Sequence, residues 1–255
     1  MCINRSLLLT LCVFSLFDGS ASSFAADEVA TAPSISELSA NGFRALGNRE
    51  LSSASDAADS LILSYKDDVR ATLIAGDLYL RSGKIKSAIT QFERYLQMVP
   101  EDKPELWQYG IALAFANQFD DGRKLFELHR EANPNDVENA AWHFLCVAKL
   151  SGFNEAKKLV LPAPNDSRVP MSQILRLLID GDEQQVIDAV EQLPDGTRRR
   201  EEAEFYGNLY LGLYADAAGN ATQAKQFIGK AAKFVPSNYM SDVSRVYLAE
   251  LEAKK

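Results

Sequence analysis

Residues 69–102 read VRATLIAGDLYLRSGKIKSAITQFERYLQMVPED and set the frame of the whole chain. Apolar residues recur at helical spacing on both sides of a turn at Gly83, and a second turn follows at Pro100. The same residue types return 34 positions further on, as Gly110, Phe126 and Pro134 after Gly76, Phe92 and Pro100. A fixed period of this length indicates a helical repeat protein rather than a single globular core.

Each position that recurs with the 34-residue period has a physical reason. Gly76 has no Cβ, so the two helices can approach closely, and Ala88 does the same on the second helix while favouring helix formation. Tyr79 and Phe92 fill the space between the helices, each burying roughly 150–250 Å². Pro100 ends the second helix because it has no amide hydrogen and its ring clashes with the preceding turn.

The spacing of these five residues resembles the tetratricopeptide repeat (TPR) pattern G…Y…A…F…P. The 34-residue period can be followed upstream to Gly42 and downstream to Ala156, and a last clear repeat unit spans 205–238. The residues that identify this last unit are Gly212, Ala224, Ala231 and Pro236. The resemblance implies an all-α, right-handed solenoid of about six helical hairpins between 35 and 238, with a C-terminal capping helix that keeps the end of the stack soluble.

The helix boundaries follow from glycine, asparagine and proline turn signals. Three prolines between 162 and 170 predict a short helix and then a loop. Asp102 and Asp136 are predicted to cap the helices that follow them. The predicted helices are 35–48, 51–64, 69–81, 85–98, 103–116, 119–132, 137–150, 154–161, 170–180, 182–193, 198–217 and 238–253.

The N-terminus is expected to lie outside the fold. Residues 1–25 combine Arg5, an apolar run and small residues before a cleavage position, which is typical of a secretory signal peptide. A flexible lead-in is expected at 26–34, then TPR units at 35–168 and a continuous divergent part at 169–255. Cys12 follows Leu11 rather than a small residue, which argues against a lipid anchor, and no other stretch predicts a membrane span.

Composition excludes several classes of function. The net charge of −8 argues against nucleic acid as the main partner. Cys146 is the only cysteine beyond the predicted signal peptide, so an intramolecular disulfide is not expected, and its apolar helix favours a buried, inert thiol. His129 and His143 have no carboxylate or cysteine at ligand spacing. The sequence therefore predicts no catalytic residues, no metal and no cofactor.

The inner, concave face of the predicted solenoid is the expected contact surface for another protein or peptide. In TPR proteins, fixed positions of each first helix line this face. When these positions are transferred to this sequence by its 34-residue period, the groove residues are Phe43, Leu73, Asp77, Arg81, Trp107, Ile111, Phe115 and Leu145. Such an apolar, aromatic groove favours protein binding. A second arrangement stays open, in which the C-terminal helices or residues 27–34 cover the groove and these side chains belong to the core.

The C-terminal half resembles secreted bacterial repeat proteins, with a weaker similarity to NlpI-type lipoproteins. The stretches that carry this resemblance are 170–174 (PMSQI), 205–212 (FYGNLYLG) and 239–243 (YMSDV). We therefore expect a secreted, periplasmic adaptor or scaffold without catalytic activity. The alternatives are a self-assembling, homo-oligomeric component of the envelope and an accessory subunit of an envelope enzyme.

Overall fold

The structure, a computed structural model, describes residues 32–234 and 238–253. Within these ranges every regular element is helical and no strand occurs. The elements in order are α1 (Ile35–Gly47), α2 (Leu51–Ser64), α3 (Val69–Arg81), α4 (Ile85–Met98), a 3₁₀ helix (Pro100–Glu105), α5 (Trp107–Phe115), α6 (Phe119–Ala132), α7 (Val137–Ser151), α8 (Phe153–Lys158), α9 (Met171–Asp180), α10 (Gln184–Glu191), α11 (Arg198–Ala217), α12 (Ala221–Ala231) and α13 (Tyr239–Ala253).

Successive helices pack in pairs, from α1 with α2 to α11 with α12. These six hairpins, followed by α13, confirm the prediction of an all-α solenoid. The tight turns at Gly83, Asn117 and Gly152 have positive φ angles of 81°, 59° and 95°. A residue with positive φ at these points reverses the chain within one to three residues, so the second helix of each pair can return along the first.

One predicted helix begins later than expected. We predicted 103–116, whereas α5 begins at Trp107 and a 3₁₀ helix occupies the preceding residues. Pro104 lies inside that 3₁₀ helix and has no amide hydrogen for an α-helical bond. The predicted cap at Asp102 is wrong, since its carboxylate accepts a hydrogen bond from the Tyr95 hydroxyl. The cap predicted at Asp136 is confirmed.

Close contact within the hairpins depends on the glycines of the first helices. A Cβ on Gly76 would lie 2.6 Å from the ring of Phe92, and one on Gly110 would lie 2.7 Å from the ring of Phe126. Both rings are fully buried on the second helix of the same hairpin. The distances are too short for any side chain, so the aromatic ring takes the volume that the glycine leaves free.

Two other glycines serve the same purpose with aliphatic partners. A Cβ on Gly212 would lie 2.6 Å from Ile228 of the same hairpin. Gly42 differs, because its first contact is Leu78 of the following hairpin at 2.6 Å and Ala57 of its own hairpin comes second at 3.2 Å. The alanines of the second helices are buried as well, namely Ala88, Ala156, Ala224 and Ala231.

The prolines of the period mark helix ends and do not pack. Pro100 opens the 3₁₀ helix after α4, and Pro134 lies in the turn after α6. Both are exposed. Pro236 lies outside the described residues, as do the predicted signal peptide 1–25 and residues 26–31 of the lead-in. No helix in the described part of the chain is long and apolar enough to cross a membrane.

Candidate functional site: the concave face and its central cavity

The final helix occupies the centre of the concave face. Helix α13 packs on α12, as a capping helix does, and also contacts α3, which lies four hairpins earlier in the stack. Its tyrosine rings contact the inner helices. Tyr239 lies edge-on to Trp107 of α5 with ring centroids 4.7 Å apart, and Tyr247 packs against Phe115 at 5.4 Å and Trp142 at 5.6 Å.

Polar contacts hold α13 against α3. The Arg81 guanidinium forms an ion pair with Asp242 at 2.6 Å, and the Asp242 side chain is 3% exposed. The Tyr239 hydroxyl donates to Asp77 at 2.8 Å. Burial raises the pKa of Asp77 to about 6, although the Tyr239 hydrogen bond and the charge of Arg81 lower it in part. This edge of the interface therefore contains a carboxyl group that titrates close to neutral pH.

A second polar contact joins α13 to α7 and α11. Asp216 of α11 accepts a hydrogen bond from the Tyr247 hydroxyl at 2.7 Å, and it pairs with the Lys149 ammonium of α7 at 2.7 Å. Burial raises the pKa of Tyr247 far above its ordinary value, so the hydroxyl keeps its proton and remains a donor. Three helices from different parts of the chain thus meet at one carboxylate.

This arrangement corrects the expected open groove. Ile111, Phe115 and Leu145 are 1%, 7% and 3% exposed, so a partner cannot reach them while α13 is in place. The prediction that these three side chains contact a partner is wrong, because they belong to the core between the inner helices and α13. The sequence also left open a groove covered by the C-terminal helices. At the centre of the concave face, the structure has this second arrangement.

The N-terminal end of the concave face remains accessible. Phe43 of α1 is 38% exposed, and the Arg81 guanidinium lies 5.4 Å from its ring centroid. Leu73 is half-buried. On α1, Ala40 and Gly47 flank Phe43 at helical spacing and are exposed too. An aromatic ring between two small residues therefore forms one continuous face of α1.

A cavity of about 170 Å³ lies between α5, α7 and the first turn of α13. Its walls combine aromatic, aliphatic, carboxylate and amide side chains. They belong to Trp107, Ile111, Phe126, Asp136, Glu138, Asn139, Trp142, Tyr239 and Met240. The sequence identified Trp107 and Ile111 as groove residues but missed the polar members. A signal was present, since Asn139 lies three positions from Trp142 and is therefore on the same side of α7.

Several buried polar atoms around this cavity have no hydrogen-bond partner among the described residues. They are Asn139 Oδ1, Trp142 Nε1 and, beside the cavity, His129 Nε2. The other polar end of Asn139 donates to the Phe126 carbonyl at 2.9 Å, which fixes the amide orientation. Because an unpaired buried polar atom costs about 1–3 kcal/mol, such a cluster is expected where a ligand or water completes the bonding.

Carboxylates outnumber cations next to the cavity. Arg168 is shared by Asp136, Glu138 and Asp166, with ion-pair distances of 3.3 Å to Asp136 and 2.6 Å to Asp166. The Tyr210 hydroxyl donates to Glu138 at 2.5 Å. Burial raises the pKa of Asp136 and of Glu138 despite the nearby guanidinium. Three carboxyl groups therefore share one guanidinium, and the raised pKa values show that this single positive charge does not offset the cost of burying Asp136 and Glu138 as anions.

The remaining candidate groups have structural roles. Cys146 is buried, and desolvation raises the pKa of its thiol to about 12, so the thiolate needed for reactivity does not form at neutral pH. His143 lies 3.2 Å from Glu127, and burial lowers its pKa. Within 32–234 and 238–253, no group of three or more His, Cys, Asp and Glu side chains could hold a metal ion.

No protein-family model and no curated protein matches the chain. One similar solved structure is a tetratricopeptide repeat protein from Parabacteroides merdae ATCC 43184. It is 12% identical, the match covers 86% of this chain and 98% of that chain, and the TM-score is 0.47.

Proposed function

We propose that this chain is a non-catalytic protein-binding adaptor of the bacterial cell envelope. Its contact surface is the face of α1 formed by Ala40, Phe43 and Gly47, at the open end of the concave side. The envelope location rests on the signal-peptide pattern of residues 1–25. The absence of catalysis rests on the residue types available in the sequence, which do not supply a nucleophile with its base and orienting group.

The accessible ring of Phe43 is the observation that carries the proposal. The centre of the concave face is filled by α13, whereas Phe43 remains 38% exposed on α1. A single exposed apolar side chain has no meaning by itself. Here, however, the ring stands between Ala40 and Gly47, and no atom lies within 4 Å of a Cβ built on Gly47. Small residues beside an aromatic anchor allow a partner helix to approach closely and place an apolar side chain on the ring.

The proposal can be tested with Phe43→Ala and the matched control Leu63→Ala. Both substitutions remove an exposed apolar side chain from the first hairpin, and Leu63 on α2 is 87% exposed. Partners captured from the native envelope are identified, and each is then measured with purified proteins. We expect Phe43→Ala to weaken binding at least about tenfold and Leu63→Ala to leave it unchanged, because aromatic anchors dominate interface energies.

Light scattering on the same variants separates the adaptor from the self-assembling component. If Phe43→Ala dissociates an oligomer of the chain itself, the α1 face is a contact between copies, and the adaptor proposal fails. Equal binding by both variants would also contradict it. Unfolding curves of the two variants show whether any loss of binding comes from loss of the fold.

A further inference from the structure

The cavity between α5, α7 and α13 is large enough for a small molecule. Its volume of about 170 Å³ exceeds the roughly 150 Å³ of engineered protein cavities that take up benzene. A molecule of about six to eight non-hydrogen atoms therefore fits. The cavity is separate from the α1 face, so its occupation can be tested independently of protein binding.

Hydrogen-bond acceptors predominate around this cavity. Oδ1 of Asp136 accepts the Glu138 amide at 3.0 Å, whereas Oδ2 lies 3.9 Å from His129 Nε2, which is beyond hydrogen-bond distance. His129 Nδ1 lies 2.7 Å from the Pro104 carbonyl oxygen, which can only accept, so Nδ1 carries a hydrogen, and Nε2 is an acceptor whenever the ring is neutral. Together with Asn139 Oδ1, these groups need a donor or a positive charge.

Aromatic side chains line the same cavity. Trp107 and Tyr239 meet edge-on, and Trp142 is 1% exposed. The faces of such rings carry a partial negative charge and attract cations, with tryptophan the strongest. Quaternary ammonium groups are bound in this way, by several aromatic rings and a nearby carboxylate. Trp142 Nε1 is the one fully buried donor without a partner among the described lining residues, and an acceptor oxygen on the ligand would satisfy it.

We propose that this cavity binds a small organic ammonium ion that also carries an acceptor oxygen. The carboxylates of Asp136 and Glu138 supply the negative charge, and Trp107, Trp142 and Tyr239 supply the aromatic walls. An anion would meet three carboxyl groups and one guanidinium, Arg168, which is already paired with all three. A neutral apolar molecule would leave the unpaired atoms of Asn139 and Trp142 without partners, at a cost in affinity.

Choline and its neutral isostere 3,3-dimethyl-1-butanol provide a direct test with the full chain. The two compounds have the same shape and hydroxyl group and differ in the charge on the central atom. Isothermal titration calorimetry is expected to show binding of choline at least tenfold tighter than that of the alcohol. Equal affinity for both, or no binding of choline, would overturn the proposal of a small, free ammonium ligand.

The wall is tested with Trp107→Leu and the control Tyr109→Leu. Both replace an aromatic residue of α5, but Tyr109 contacts Phe92 and is not among the residues that line the cavity. We expect at least a tenfold loss of choline affinity for Trp107→Leu and no change for Tyr109→Leu. Circular dichroism shows whether each variant folds, and Glu138→Gln provides a second variant should Trp107→Leu unfold. Unchanged choline affinity in a folded Trp107→Leu would overturn the proposal.

The ammonium group of a phospholipid is a second source of the same chemistry. Vesicles of phosphatidylcholine and of phosphatidylglycerol are therefore sedimented with the protein. If the protein is retained on the phosphatidylcholine vesicles alone and does not bind free choline, the ammonium group belongs to a lipid headgroup. That result would overturn the proposal of a free ligand. Binding of free choline without retention on vesicles supports a soluble one.

Discussion

At the residue scale, the absence of a side chain at Gly76 determines how closely α3 and α4 approach. The ring of Phe92 occupies that space and is completely buried, so it has no free volume into which to move. Alanine is a better helix former than glycine by about 1 kcal/mol, which would favour a Gly→Ala substitution in an unobstructed helix. In α3 the steric conflict is expected to outweigh this gain.

We therefore expect Gly76→Ala to lower the free energy of unfolding by about 1–3 kcal/mol, as overpacking does. The matched control is Gly229→Ala on α12, where no atom lies within 4 Å of the added Cβ. That variant should gain about 0.5–1 kcal/mol from helix propensity alone. Urea unfolding of both proteins measures the difference. If both substitutions raise the free energy of unfolding, Phe92 can move aside and the expected steric conflict does not exist.

The buried carboxyl group of Asp77 makes the stability of the fold depend on pH. Its pKa is about 6 in the folded protein, against an ordinary value of 3.8, because burial disfavours the charged form. The folded state therefore holds this proton between about pH 4 and pH 6, where the unfolded state releases it. The stabilisation is fully present below pH 3.8 and is lost as the pH rises through 6. At about 1.4 kcal/mol per pKa unit, this amounts to about 3 kcal/mol.

Asp77→Asn removes this titration and can still accept from the Tyr239 hydroxyl. We expect the wild-type free energy of unfolding to fall relative to that of the variant between about pH 4 and pH 6.5. Arg81 and Asp242, which face the same contact, are unchanged in this comparison. Asp56→Asn on the exposed side of α2 serves as the control and should follow the wild-type pH profile. If the free energies of unfolding of the wild type and of Asp77→Asn change in parallel over this pH range, the proposed titration of buried Asp77 is contradicted.

At the scale of elements, α13 differs most from its predicted role. A capping helix with a polar outer face was expected, and α13 does pack on α12. Met240, Val243 and Tyr247 form one buried face, and Ser241 and Asp242, which point to other sides of the helix, are 0% and 2% exposed, so burial extends beyond the single packing face of a cap. The helix is enclosed by α12 on one side and by the inner wall of the solenoid on the other. Its sequence pattern predicted a helix correctly but did not distinguish one packing face from two.

The attachment of α13 to α11 is tested with Tyr247→Phe. This substitution keeps the ring against Phe115 and Trp142 and removes the hydroxyl that donates to the buried Asp216. We expect a loss of about 1–2 kcal/mol in the free energy of unfolding, since a buried acceptor loses one of its donors.

Tyr65→Phe provides the control, because the Tyr65 hydroxyl donates to the exposed Pro33 carbonyl at 3.0 Å. That carbonyl can bond to water instead, so the loss should stay below about 0.5 kcal/mol. Thermal or urea unfolding compares the two variants. Equal losses would indicate that Lys149 alone satisfies Asp216.

At the scale of the whole molecule, the solenoid closes upon its own end. Contacts from α13 reach α3, α5, α7 and α11, so residues more than 160 positions apart, such as Arg81 and Asp242, are neighbours. In an open repeat array each unit contacts only the next one. Here the last helix joins early and late hairpins, and the concave face is divided into an open end at Phe43 and a closed centre with a cavity.

Most of the helices, their pairing and the small residues between them could be predicted from the sequence, although the predicted helices did not include α12 and placed the start of α5 too early. Those features depend on neighbours within one period, and glycine, alanine and aromatic residues at fixed spacing specify them locally. Which concave residues are accessible could not be predicted from the sequence, because accessibility depends on small rotations added up over six hairpins and on the position of the last helix. The pairing of Trp107 with Tyr239, and the cavity beside them, follow from that sum and from no single repeat.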